Sequence, residues 1–499
     1  MLFGLSLIPL VAIIGLAVDF GRVYSVRAQT QSALDAAALA AARVAQVSTT
    51  DIVNKAAAAA TAYFNQAKPK DVVTSTLQFS PNADNTAFTV TANSWVRTPF
   101  LSVLKMLTLQ GSQPGAPAGC QGNGFGCVSM TTTATAALCP SAACTSSGSG
   151  GSNVEVALML DVTGSMCSPC SKIDAAKTAA KDLIDIVVWD DQTDYYSRVA
   201  IAPFAEAVNV GTTLAPLVRG TVTNNTSSSP QTFTTTAVLN DPTNQPTKKW
   251  IKYSKASGSG TNTWQISSKC VTERIGNDAY TDAAPAGTST YVGKGYFGTD
   301  ADTSCGVANH SDEAVNRILP LSRDKTALKA HIDKMETSGS TAGHLGTAWA
   351  WYLISPKWNS VLSQAFPTAY AAGPYSDLTT YNTRGQPKLR KIAVLMTDGE
   401  YNINYCKGVE ALNSDQSPDI KCNSENGKSL TQATSLCTGM KNAKIEVFTV
   451  GFQVTSASKT FLTNCATDAS HYYDATTEVA LQAAFRDIAL KIATLRLTN

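Results

Sequence analysis

The sequence predicts an α/β protein: a doubly wound parallel sheet with a long insertion, an N-terminal transmembrane helix and a small β-rich module. Val154–Leu160 and Ile392–Met396 are apolar runs of strand length, and each ends at or just before an acid, Asp161 and Asp398. Arg198–Phe204 and Ile445–Phe452 repeat the strand pattern, with helical segments between them. After the first run, Lys172–Trp189 places Ile173, Ala176, Ala180, Leu183, Ile184, Val187 and Val188 on one stripe and Lys177, Lys181 and Asp185 off it, the spacing of an amphipathic helix. Such alternation of strand and helix predicts parallel strands.

The chain opens on Leu2–Val18, seventeen residues without a charge, close to the length a helix needs to cross a bilayer. A cleaved signal peptide competes with an anchor, but the run lacks a basic flank and continues straight into helix, so an uncleaved anchor is expected. Asp19–Val44 continues as an Ala-rich helix whose small residues permit close helix approach. From Asp71 to Leu138 the pattern turns to short strands, Val72–Phe79, Ala87–Ala92 and Val128–Thr135, within a small α+β module over 46–138. A Gly/Ser-rich linker follows over 139–152, and the main domain is expected over 153–497. Its polar stretch from about 205 to 316 is too long for a bare loop and reads as an insertion with its own β structure. The last helix, Thr477–Leu497, is expected to close the sheet.

In a chain of 499 residues, a net charge of +2 with 15% charged residues leaves no basic field to draw nucleic acid. Twelve cysteines among Thr/Ser/Asn/Gly-rich stretches fit an oxidising compartment outside the cytoplasm. Local disulfides are expected at Cys120–Cys127, Cys139–Cys144 and Cys167–Cys170. Cys270–Cys305 and pairs among Cys406, Cys422, Cys437 and Cys465 stay open in connectivity.

Asp161-Val-Thr163-Gly-Ser165 offers one carboxylate and two hydroxyls at the end of a strand, a hard-oxygen set suited to Mg²⁺, Mn²⁺ or Ca²⁺. Thr341, just before an Ala/Trp-rich helix, and Asp398, in Thr397-Asp398-Gly399, could complete it. Ligands of doubly wound sheets sit beyond the carboxyl ends of the strands, where both acids fall. These stretches resemble the von Willebrand factor type A (VWA) domain, a Rossmann-like fold. Its metal-ion-dependent adhesion site (MIDAS) falls here on Asp161, Thr163, Ser165, Thr341 and Asp398, with Thr163 in place of the usual Ser. The resemblance implies that a partner's acidic residue docks on the metal. The plainer reading makes Asp161 a helix cap and Asp398-Gly399 a turn.

The opening, Gly15-Leu-Ala-Val-Asp19-Phe-Gly-Arg22-Val-Tyr24 and Gln31-Ser-Ala-Leu-Asp35-Ala-Ala-Ala-Leu-Ala40, looks like the N-terminus of TadG-like proteins of the Tad/Flp pilus assembly machinery. That resemblance covers about the first forty-five residues. It implies a membrane-anchored envelope protein, its main domain periplasmic or extracellular, that binds pilus or envelope components and is not an enzyme. A surface adhesin unrelated to pili is the alternative within the same class. The alternative from another class is an extracytoplasmic thiol oxidoreductase using Cys167-Ser-Pro-Cys170 ahead of a helix. Zinc capture by Cys406, Cys422 and Cys437 has gaps too long to favour it. None of His310, His331, His344 and His471 lies in a catalytic motif, and His344 is expected on an exposed helix face.

Overall fold

The computed structural model describes residues 2–47, 51–82, 87–100, 117, 120, 127–137, 152–190, 192, 196–233, 246–254, 261–287, 290–298, 312–367, 380–381, 387–406, 408–411, 423–492 and 496–498. The linker before 152, Cys139, Cys144, Cys305, Cys422 and His310 lie outside the described residues. The chain divides into two compact units. One comprises residues 1–151, 381–386 and 493–499, the other 152–380 and 387–492.

In the first unit, helices α1 (Leu2–Val47) and α2 (Ile52–Ala67) pack on an antiparallel sheet of β1 (Val72–Pro81), β2 (Ala87–Arg97), β3 (Cys127–Ala137) and the C-terminal strand β17 (Arg496–Thr498). Strand β2 alternates buried and half-buried residues, the pattern of a sheet with one covered face. Its inward residues Phe88, Val90 and Ala92 meet Leu34, Ala37 and Ala41 of α1 and Phe64 of α2. Alanines at these positions let the helices approach the sheet closely. Cys120–Cys127 is a disulfide. Among the described residues no helix is long and apolar enough to cross a membrane. The anchor expected over 2–18 falls largely on residues 2–14, whose side chains are not among those described.

The second unit is built on a six-stranded sheet in the order β11-β5-β4-β12-β15-β16. Strands β4 (Asn153–Asp161), β5 (Ser197–Phe204), β12 (Leu389–Thr397), β15 (Glu446–Phe452) and β16 (Tyr472–Ala475) run parallel, and β11 (Leu319–Ser322) joins one edge antiparallel. Ala157, Met159, Ala200, Ala202, Ala393 and Leu395 pack in one core with the helices α6 (Gly343–Ile354) and α8 (Ser429–Asn442). Their strand neighbours Val156, Leu158, Ile201 and Val394 are equally buried and point to the opposite face, where α3 (Ser171–Val187) and α10 (Glu478–Ile492) lie against each other. Every residue of α6 is buried, as a helix apolar all round must be. Gly346 allows the fit: a Cβ there would stand 2.6 Å from the Phe204 ring.

Register at the start of this sheet is tied by charge. Glu155 of β4 lies opposite Arg198 of β5 and Lys391 of β12 and forms ion pairs with both. All strands of the parallel set then end on one edge.

The second sheet of this unit, ordered β13-β14-β10-β9-β8-β7 with β6 on β9, draws on residues 208–297. It also takes β13 (Tyr405–Cys406) and β14 (Val409–Glu410) from just beyond Asp398, so the expected insertion does not build its sheet alone. Its other strands are β6 (Val208–Asn209), β7 (Gln231–Phe233), β8 (Trp250–Ser254), β9 (Thr261–Thr272) and β10 (Gly293–Phe297). The last helix also departs from expectation. Its described part runs over Glu478–Ile492, and Arg496–Thr498 pairs antiparallel with Thr135–Ala137. The alternating Arg-Leu-Thr suits an edge strand.

Candidate metal centre

Strand β4 delivers Asp161 fully buried, and the chain then turns through Thr163, Gly164 and Ser165 before α3 begins. Asp161 Oδ1 accepts from the Thr163 amide at 2.9 Å and its hydroxyl at 2.6 Å, while Oδ2 accepts from the Thr397 hydroxyl at 2.7 Å. The Thr163 and Ser165 hydroxyls are 2.9 Å apart, and Ser165 donates to Asp398 Oδ1 at 2.6 Å. The other oxygen of Asp398 takes the ammonium of Lys172 at 3.0 Å.

The Thr341 loop is fastened to both neighbours. The Gly164 amide donates to the Gly339 carbonyl at 2.8 Å, and the Asn402 amide donates to the Thr341 carbonyl at 3.0 Å. Asn402 Oδ1 accepts from the Thr341 amide in return. Gly339 takes a left-handed φ of 74°, and the Ser340 amide that follows donates to the Glu206 carboxylate at 3.1 Å. A Cβ placed on Gly399 would stand 3.2 Å from Thr341 Oγ1 and 3.7 Å from Ser165 Oγ. The hydroxyls of the second and first loops thus border one small volume beside Asp398. The structure brings Asp161, Thr163, Ser165, Thr341 and Asp398 together at the carboxyl edge of the sheet.

Burial, and after it the neighbouring Asp398 carboxylate, push Asp161 up to about 6 against the opposing hydrogen bonds of Thr163 and Thr397. Two acids and three hydroxyls, with Ser165 on the exposed side, are an oxygen set that fits a hard divalent cation. Beyond its local contacts with Thr163, the Asp161 carboxylate joins the ends of β4 and β12, 236 residues apart, through Thr397.

Several contributors escaped the sequence reading. Thr397 precedes Asp398 directly, and its hydroxyl between a strand and an acid was the available signal. Lys172 lies in the first turn of α3, where a cation opposes the helix dipole and so calls for explanation. His344 is buried, not exposed: Nδ1 meets Ser429 Oγ at 2.6 Å and Nε2 meets Glu273 at 2.7 Å. It ties α6 to Glu273, just beyond β9, and to Ser429 at the start of α8. Cys167 and Cys170 are joined as a disulfide, as are Cys437 and Cys465, while Cys270 and Cys406 each belong to a separate disulfide. No free cysteine occurs among the described residues, which removes the thiolates a zinc site would need.

Comparison with known proteins divides along the chain. Residues 1–44 match the family model described as putative Flp pilus-assembly TadE/G-like. No curated protein matches the chain. Solved structures with some likeness include the pilus adhesin SpaC from Lactobacillus rhamnosus GG, at 12% identity and a TM-score of 0.30, covering 84% of this chain and 34% of SpaC. The vWF domain of the type V pili tip protein Mfa5 from Porphyromonas gingivalis shares 10% identity at a TM-score of 0.33, covering 68% of this chain and 95% of that one. Proximal thread matrix protein 1 from the mussel byssus, with a zinc-occupied MIDAS motif, shares 11% identity at a TM-score of 0.28, covering 70% of this chain and 47% of its own. The chain spans about a third of SpaC's length and about half of the mussel protein's. These likenesses are remote, and the sheet order rests on this chain's own strand pairing.

Proposed function

We propose that this chain is a membrane-anchored envelope protein of Tad/Flp pilus assembly or anchoring, which binds a protein partner through a divalent cation in its VWA-type domain. The observation that carries the reading is the meeting of Asp161, Thr163, Ser165, Thr341 and Asp398 from three separated loops at one edge of the sheet. The match of residues 1–44 to the pilus-assembly family supports the envelope setting, with residues 2–18 as the membrane anchor. Asp161 and Asp398 would balance the charge of Mg²⁺, Mn²⁺ or Ca²⁺, and the three hydroxyls would fill positions without adding charge. The bound ion supplies an electrophilic point for a carboxylate of the partner. On this chain's side, Thr397 orients Asp161, and Asn402 and Glu206 hold the Thr341 loop in place.

The test is crosslinking and pull-down from membranes with wild type and Asp161→Ala, each with Mg²⁺ and with chelator. The proposal expects pilus or envelope proteins to be captured by wild type with Mg²⁺ alone. Equal capture by Asp161→Ala contradicts it.

A further inference from the structure

Lys172 is the one feature of the site that a cation-binding function does not call for. Its ammonium sits 3.0 Å from Asp398 Oδ2, with the lysine side chain 13% exposed and the aspartate side chain 0%. It occupies the second position of α3, where the helix dipole opposes a positive charge, and among the described residues its ion pair is with Asp398. Ser165 takes the other oxygen of Asp398, so both oxygens of that carboxylate are engaged by the chain itself.

We propose that Lys172 is a tethered counter-cation of the metal centre, one that holds Asp398 in its binding position and must swing away when a divalent ion loads. The inference rests on the metal reading above and adds a residue that sets affinity and selectivity. Asp161 and Asp398 together carry two negative charges when ionised, and Lys172 offsets one. A divalent ion among the same oxygens neutralises both, and an ammonium still on Asp398 would stand a few ångströms from it with nothing left to offset. The lysine stem is long and flexible enough to carry its head to solvent. A monovalent ion gains nothing by displacing a monovalent charge already tethered there, so the exchange favours ions of higher charge. The same contact keeps the Asp398 loop attached to α3 without any ion, so the three loops hold their places before loading.

Two measurements on the full chain test this. In the first, Mg²⁺ is titrated calorimetrically into wild type, Lys172→Met and Lys172→Arg. Removing the competing charge should tighten Mg²⁺ binding about tenfold, the equivalent of about 1.4 kcal/mol, and should lower the melting temperature of the ion-free protein. Lys172→Arg keeps the charge and should stay near wild type. In the second, wild type alone is labelled with an amine-reactive reagent with and without Mg²⁺, and the labelling of Lys172 is read by mass spectrometry. It should rise severalfold with the ion. Equal or weaker Mg²⁺ binding by Lys172→Met, or Lys172 labelling unmoved by Mg²⁺ in a wild type that binds it, overturns the inference and leaves the metal reading standing. Failure of every protein to bind Mg²⁺ overturns the metal reading, and this inference with it.

Discussion

Ser165 Oγ donates to Asp398 Oδ1 at 2.6 Å across 233 residues of sequence, joining the loop after β4 to the loop after β12. The bond exists because β4 and β12 are parallel neighbours in register, Ala157 opposite Ala393, so both loops leave the sheet side by side. Thr163→Ser keeps the hydroxyl that bridges Asp161 and Ser165 and should change stability by less than about 0.5 kcal/mol. Thr163→Val removes it from a buried carboxylate and should cost about 1–3 kcal/mol. Urea unfolding of the two variants beside wild type measures the difference.

The ion pairs at the opposite end of these strands are a separate matter of stability. Lys391 and Glu155 are both buried and paired, and Arg198 holds the second oxygen of Glu155. Lys391→Ala leaves Glu155 short of one partner inside the sheet and should cost about 3–5 kcal/mol. Replacing both, as Lys391→Met with Glu155→Met, should cost less than that single change. A double-mutant cycle in denaturant gives the result directly.

His331 makes stability fall in acid. Burial lowers its pKa below the usual histidine range, the Arg317 carbonyl on Nε2 only partly opposing it. The folded state therefore holds a neutral imidazole where the unfolded chain takes up a proton near pH 6.5. The unfolded state binds more protons in that window, so the contribution is full above pH 6.5 and is lost as pH falls through it toward the folded value. Asp161, with its raised pKa, shifts stability the other way over part of the same range, so the comparison needs a variant. His331→Gln can still donate to Arg317 and should lose less stability than wild type between pH 7.5 and 5.5, read from unfolding midpoints.

The disulfides differ in what they close. Cys437–Cys465 spans 28 residues and is buried between α8 and α9 (Ser456–Cys465), whereas Cys120–Cys127 spans 7. Changing the first pair to serine should cost about 2–4 kcal/mol, and the second pair less, since a shorter loop restrains the unfolded chain less. Non-reducing peptide mapping should also find Cys167 linked to Cys170. Free, exchange-competent thiols at those two positions would revive the oxidoreductase reading.

How much of this was legible in the sequence follows the range of the forces. Strands β4, β12 and β15 were legible because burial on both faces leaves continuous apolar runs, and α3 because one face remains wet. The five oxygen-bearing residues proposed to hold the ion were legible as a pattern, since each lies close to the end of such an element. Lys172 was not, because nothing local tells a lysine paired with Asp398, 226 residues away, from one in solvent. His344 was misread for the same reason: its partners Glu273 and Ser429 lie 71 and 85 residues off. The two short strands at Tyr405–Glu410 carry too few residues for any period to show.

Calorimetric titration of Mg²⁺ into wild type and Asp161→Ala decides whether the three loops form one divalent-cation site. Wild type should bind Mg²⁺ saturably, with a melting temperature that rises with Mg²⁺ and falls with chelator. A folded Asp161→Ala should show no binding. No heat of binding from wild type, or equal binding by both proteins, would contradict such a site and leave Asp161 and Asp398 as structural acids alone.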